Sequence, residues 1–138
     1  MQSHTRSLIA AATFAAITGR KVAGLYDHTL GRDRRIAAEC REGRLQGRDG
    51  DRGARFGGTL PEIFDATDKA FISLEIEGEG DARSARGYDR GSSTFFTAQV
   101  RDGVVQVYDH TANAWFAYDV QDPDAASSYL RVDADRPA

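Results

Sequence analysis

The stretch YDRGSSTFFTAQVRDGVVQVYD, Tyr88 to Asp109, decides the fold. Phe96, Ala98 and Val100 alternate with Thr97 and Gln99, and Val105 and Val107 flank Gln106. A period of two puts alternate side chains on opposite faces, so both segments read as strands with one buried face. Asp102-Gly103 between them suits a tight hairpin turn, because glycine accepts positive φ at little steric cost. The stretch begins and ends on the same pair, Tyr-Asp.

That pair recurs along the chain as Tyr26-Asp27 and Phe64-Asp65, with Arg48-Asp49 in the remaining place. Successive Asp residues are 22, 16, 24 and 20 positions apart. Seven residues after four of them stands Phe56, Ile72, Phe96 or Phe116. After Asp27 the match comes nine residues on, at Ile36, which predicts a turn two residues longer. From these points the chain alternates as Ile36/Ala38/Cys40, Phe56/Gly58/Leu60, Ile72/Leu74/Ile76, Phe96/Ala98/Val100 and Phe116/Tyr118/Val120. The half-strands ahead of the Asp residues carry Ala23/Leu25, Leu45/Gly47, Ala85/Gly87 and Val105/Val107. Glu42-Gly43 marks a second tight turn, and Pro61 marks an edge or bend.

Each unit therefore reads as strand, Asp-led loop, strand, tight turn. Five units of about 20 residues predict an all-β, antiparallel up-and-down meander of about ten strands. An open sheet of that width leaves two raw edges, so a closed barrel is expected, with a two-sheet sandwich as the alternative. Two strands separate successive Asp-led loops, which places all of them at one end.

Three regions follow. Residues 21–120 form the repeat-built β domain, and residues 121–138 form an acidic tail with Asp122, Asp124, Asp133 and Asp135. In residues 1–20, Leu8 to Ile17 reads LIAAATFAAI behind Arg6. It is either a short helix opened by Ser7 and closed by Gly19, or the apolar region of a signal peptide. A retained helix favours a cytoplasmic protein; a cleaved signal makes it secreted or periplasmic. The run is too short to span a bilayer, so no integral membrane segment is expected.

The small residues Ala38, Gly58, Ala98, Ala23, Ala85, Gly47 and Gly87 at mid-strand, inward positions imply a cavity or an inserted element. The Leu8–Ile17 segment is the candidate to plug or cap that space. The chain has 138 residues, enough for one domain. Its single cysteine, Cys40, excludes an internal disulfide and falls on the apolar face as a small core residue. A net charge of −3 gives no overall pull toward nucleic acid or an anionic surface.

Asp at the head of each loop is suited to accept backbone N–H groups two residues on. Units one and five share Tyr26-Asp27-His28-Thr29 and Tyr108-Asp109-His110-Thr111. Closure makes these units neighbours, so His28, His110, Asp27 and Asp109 are candidates for a metal-binding or hydrolytic site. On the other face, Tyr26, Tyr88, Tyr108, Phe95 and Trp115, with Phe64 and Phe71, form a row at the loop end, with Arg35 and Arg55 at matching places. Such a band is either a binding surface or cross-strand pairing that pins the loops.

Tyr26-Asp27 followed by Gly31-Arg32 resembles one unit of the YD repeats of large RHS-type shell proteins. Asp49, Asp65, Asp89 and Asp109 lack the Gly-Arg pair, so the likeness assigns no family. No phosphate loop, dinucleotide fingerprint or nucleophile elbow is present, and no catalytic motif or cofactor is expected. The leading expectation is a non-enzymatic binding or interaction module using the aromatic rim, its partner a protein or small ligand. A small-ligand-carrying barrel and the metal or hydrolytic site are the alternatives.

Overall fold

The computed structural model describes residues 1–121, and the tail expected over 121–138 lies outside them from residue 122 on. Helix α1 spans Ser3–Thr18. Eleven strands follow: β1 (Leu25–Asp27), β2 (Arg32–Arg34), β3 (Ile36–Arg41), β4 (Arg44–Asp49), β5 (Ala54–Thr59), β6 (Glu62–Asp65), β7 (Ala70–Glu77), β8 (Ser84–Asp89), β9 (Thr94–Arg101), β10 (Val104–Asp109) and β11 (Ala114–Val120). They form one antiparallel sheet, with β3 to β11 in chain order, β1 paired to β11, and β2 paired to β1. The sheet curls into a nearly closed barrel. Its two ends, β2 and β3, are consecutive in the chain, and Val22 bridges to Ala38 across the seam.

The strand count is eleven rather than ten because the second strand of the first unit is interrupted at Arg35. Three residue steps from Leu25 to Val22 oppose four from Arg34 to Ala38, so the register slips by one residue, as at a β-bulge. The slip turns Val22 inward and leaves Ala23 exposed, reversing the expectation for Ala23. It also corrects the expected longer turn. All five Asp-led loops have four residues between their strands. The position seven after Asp27 is Arg34, which is buried where the other units place an apolar residue.

The loops share their local conformation. The fourth loop residue has positive φ in every case: Gly31, Gly53, Lys69, Ser93 and Asn113. At the opposite pole, Glu42 (φ 51°) and Gly43 (φ 76°) make the tight turn between β3 and β4.

Helix α1 occupies the inside of the barrel. Every residue from Ser7 to Ala15 is fully buried, and the helix contacts β1, β3, β4 and β7 through β11. A helix apolar all round is stable only when surrounded. Strands about 4.8 Å apart and tilted by about 40° close at a backbone radius of roughly 11 Å. The helix backbone takes the inner ~2.3 Å, leaving roughly 9 Å for side chains from both walls. That gap explains alanine at positions 10, 11, 12 and 15 on the helix, and Ala38, Ala85 and Ala98 on the strands. Glycine is needed where inward rings lie across the neighbouring strand. A Cβ on Gly47 would clash with the Phe56 ring, and one on Gly87 would clash with the Ser73 carbonyl of the neighbouring strand as well as the Phe96 ring.

The helix starts four residues before Ser7. Gln2 is its N-cap, and the Ser7 hydroxyl bonds to the Ser3 carbonyl instead of capping. Gly19, at φ 70°, closes it as expected, its N–H bonding to the Ala15 carbonyl. Among the described residues no helix is long and apolar enough to cross a membrane.

Candidate binding surface

The five loop-leading aspartates, Asp27, Asp49, Asp65, Asp89 and Asp109, are all buried. Each uses Oδ1 to accept loop N–H groups. Thr29 and Leu30 donate to Asp27 at 2.9 and 3.0 Å, and Thr111 and Ala112 donate to Asp109 at 2.9 and 3.0 Å. Asp51 and Arg52 donate to Asp49, Thr67 to Asp65, and Gly91 to Asp89. This satisfies backbone donors that the turn would otherwise leave unpaired.

Three of these carboxylates turn their second oxygen to basic groups around the first turns of α1. Asp109 Oδ2 meets Arg6 at 3.2 Å and the Met1 amino group at 3.3 Å. Asp49 Oδ2 meets Arg34 at 3.1 Å and Arg52 at 2.8 Å. Asp65 Oδ2 lies 3.5 Å from Arg52. Arg34 also donates to Ser7 Oγ and Asp51, joining helix, strand and loop. Burial pushes the Asp109 carboxyl up, but the N–H groups of Ala112 and Thr111 and the Met1 amine outweigh it and hold it below the ordinary range. Tyr118, buried beside this cluster, is pushed up to about 12, first by burial and then by the Asp27 charge, against Arg6 and Ser7.

Burial also raises the Asp51 carboxyl, and hydrogen bonds from Arg34 and Arg35 reverse the effect, leaving it at about 2 against 3.8 for a free side chain. A carboxyl depressed on folding stabilises the fold fully above its unfolded value, and that share is lost as pH falls through the folded one. Urea denaturation should therefore show stability declining between about pH 4 and pH 2, and less steeply in Asp51→Asn. Equal slopes in the two proteins would contradict the assignment.

In the paired Tyr-Asp-His-Thr loops the aspartates and histidines differ in burial and in partners. Asp27 and Asp109 are buried in the wall, while His28 and His110 are exposed. His28 Nε2 pairs with Asp119 at 3.1 Å, and His110 Nε2 bonds Thr97 at 3.2 Å. Each ring stacks edge-on against the tyrosine of its own unit: Tyr26–His28 at 5.0 Å and Tyr108–His110 at 4.8 Å. Among the described residues, the group of three metal-capable side chains whose ligand atoms lie within 4.8 Å of one another is instead His4, Asp65 and Asp68. Cys40 packs partly buried against the core, and burial raises its thiol pKa, disfavouring the thiolate.

The aromatic row lies on the outer wall. Phe64 opposes Phe71, Tyr88 opposes Phe95 and Tyr108 opposes Trp115 in register, with centroids 5.1, 4.6 and 5.1 Å apart. The row crosses six consecutive strands, β6 to β11, and Tyr26 continues it on β1. Phe95 is 65% exposed and Trp115 49%. In unit two the matching outward pair is Arg48 and Arg55. A cleft of about 570 Å³ opens in the row, lined by Tyr88, Phe95, Arg86, Glu75, Thr97 and His110. Arg90 lies over the Phe71 ring at 5.8 Å. Sequence reading found the row from its outward alternation but missed Arg34, Arg52, Arg90 and His4, whose partners are distant in the chain.

No family model, curated protein or solved structure matches the chain.

Proposed function

We propose that the protein is a non-enzymatic binding module whose outer aromatic row docks another protein. The observation that supports this is the gathering of exposed apolar side chains. Among the described residues, the exposed large hydrophobics are Phe64, Phe71, Phe95, Trp115 and, in the first loop, Leu30, all at the loop end. Contiguous exposed apolar surface of this kind marks interaction sites.

The row's composition favours a protein as the occupant. Phe, Tyr, Trp and Arg are the residues enriched at interface centres, and Arg86 and Arg90 flank the rings. Five strand spacings of about 4.8 Å make the row roughly 24 Å long, the scale of a standard interface. The cleft beside the paired Tyr88 and Phe95 rings is placed to take one anchoring side chain of the partner. The common geometry of the five loops supports reading the wall as one repeated unit, with the outward pair of each unit free to carry binding. The reading of a ligand-carrying barrel has less room, because α1 occupies the axis.

A photo-crosslinking phenylalanine analogue at Phe95 and at Trp115, in the cell that makes the protein, tests this. The same discrete protein adduct is expected at both positions and not at Thr59 on the far wall, and Tyr88→Ser should deplete it. No adduct, or the same adducts from Thr59, would overturn the proposal.

A further inference from the structure

We propose that His4, Asp65 and Asp68 form a binding site for a divalent transition metal of the zinc class, clamping the central helix to the barrel wall. His4 comes from the first turn of α1, Asp65 from the end of β6 and Asp68 from the loop that follows. Closing the wall around the helix brings them together. Their ligand atoms lie within 4.8 Å of one another, and His4 Nε2 is 2.8 Å from Asp68 Oδ2. Ligands around one zinc ion at about 2.1 Å stand roughly 3.4 Å apart, so modest side-chain adjustment converges this set.

A second observation points to a missing partner. Asp65 Oδ1 accepts the Thr67 N–H, but Oδ2 is buried and accepts no hydrogen bond. The Asp65 side chain is only 2% exposed. Its nearest cation, Arg52, stands off at 3.5 Å from Asp65 and 3.7 Å from Asp68; its Nε is committed to Asp49, and its Nη1 and Nη2, facing these two carboxylates, likewise make no hydrogen bond. Asp65 and Asp68 thus share with Asp49 a single guanidinium, beside the His4 imidazole. A buried, unsatisfied carboxylate oxygen is costly, and a cation bound there would satisfy it.

The donor set selects the metal. One imidazole nitrogen and two carboxylate oxygens suit zinc and its neighbours, with water in the fourth position. Calcium needs six to eight oxygen ligands, which this set lacks. Arg52, held by Asp49, would orient Asp68 through its outer oxygen, Oδ1.

The test titrates zinc chloride into the metal-stripped full chain, followed by calorimetry, thermal melting and NMR of the histidine rings. One zinc per chain is expected, with a higher Tm and a shift of the His4 ring signals while those of His28 and His110 stay in place. His4→Gln and Asp68→Asn, at partly exposed positions that cap no loop, should each weaken binding about tenfold or more. The His28→Ala/His110→Ala double variant should bind as the wild type does. No zinc binding by the wild type, unmoved His4 signals, unchanged affinity in both single variants, or loss of binding in the double variant would each overturn the proposal.

Discussion

Aspartate in place of Ala11 should abolish cooperative folding. Ala11 sits midway along α1 with no exposed surface and barrel wall on every side. A carboxyl there must shed its water without gaining a partner. That costs several kcal/mol even in the neutral form, before the added volume is counted. A domain of this size has about 5–15 kcal/mol to lose. The same residue at Gln2, the exposed N-cap, should change stability by less than about 1 kcal/mol, because an N-cap carboxylate can accept helix N–H groups. Circular dichroism melts of both variants check the contrast. A cooperative Ala11→Asp melt near the wild-type Tm would mean that the helix has a face open to water.

The second large effect is expected at Arg34. Its guanidinium bonds Ser7, Asp49 and Asp51, and its side chain is only 3% exposed. Arg34→Met keeps most of the volume but leaves Asp49, fully buried, with Arg52 as its one remaining cation among the described residues. Breaking one side of a buried pair costs about 3–5 kcal/mol. Adding Asp49→Asn should recover part of the loss, since the amide oxygen still accepts the Asp51 and Arg52 N–H groups while the buried charge is gone. Urea denaturation of the wild type, both single variants and the double variant measures the coupling. Additive losses would show that Arg34 acts by packing alone.

The barrel was legible because its physics is local. Alternation from Phe96 to Val100 and Val105 to Val107, with Asp at each loop head, needs no knowledge of distant residues. Closure followed from the cost of raw edges. The parts that were not legible depend on long-range placement. Arg34 sits in the polar run Arg32-Asp33-Arg34-Arg35, which reads as loop, yet it stands seven residues after Asp27, in register with the buried Leu25, and its side chain reaches the helix at Ser7. The start of α1 was hidden because Ser3 to Arg6 are polar, and they suit a helix only where loop carboxylates receive Arg6. The aromatic row was legible as a row, since outward positions share the strand period. The His4 cluster was not, because its members are 64 positions apart at the extreme and meet only once the helix is inside.

Hydrogen exchange of the α1 amides tests the enclosed helix most directly, and with it the placement of binding on the outer wall. A helix sealed inside the barrel can exchange only when the barrel opens, so the amides of Ala11 to Ala15 should exchange as slowly as those of β9 and β10. Exchange of these amides orders of magnitude faster than the strands would mean that the helix leaves the barrel on its own, and would contradict the account.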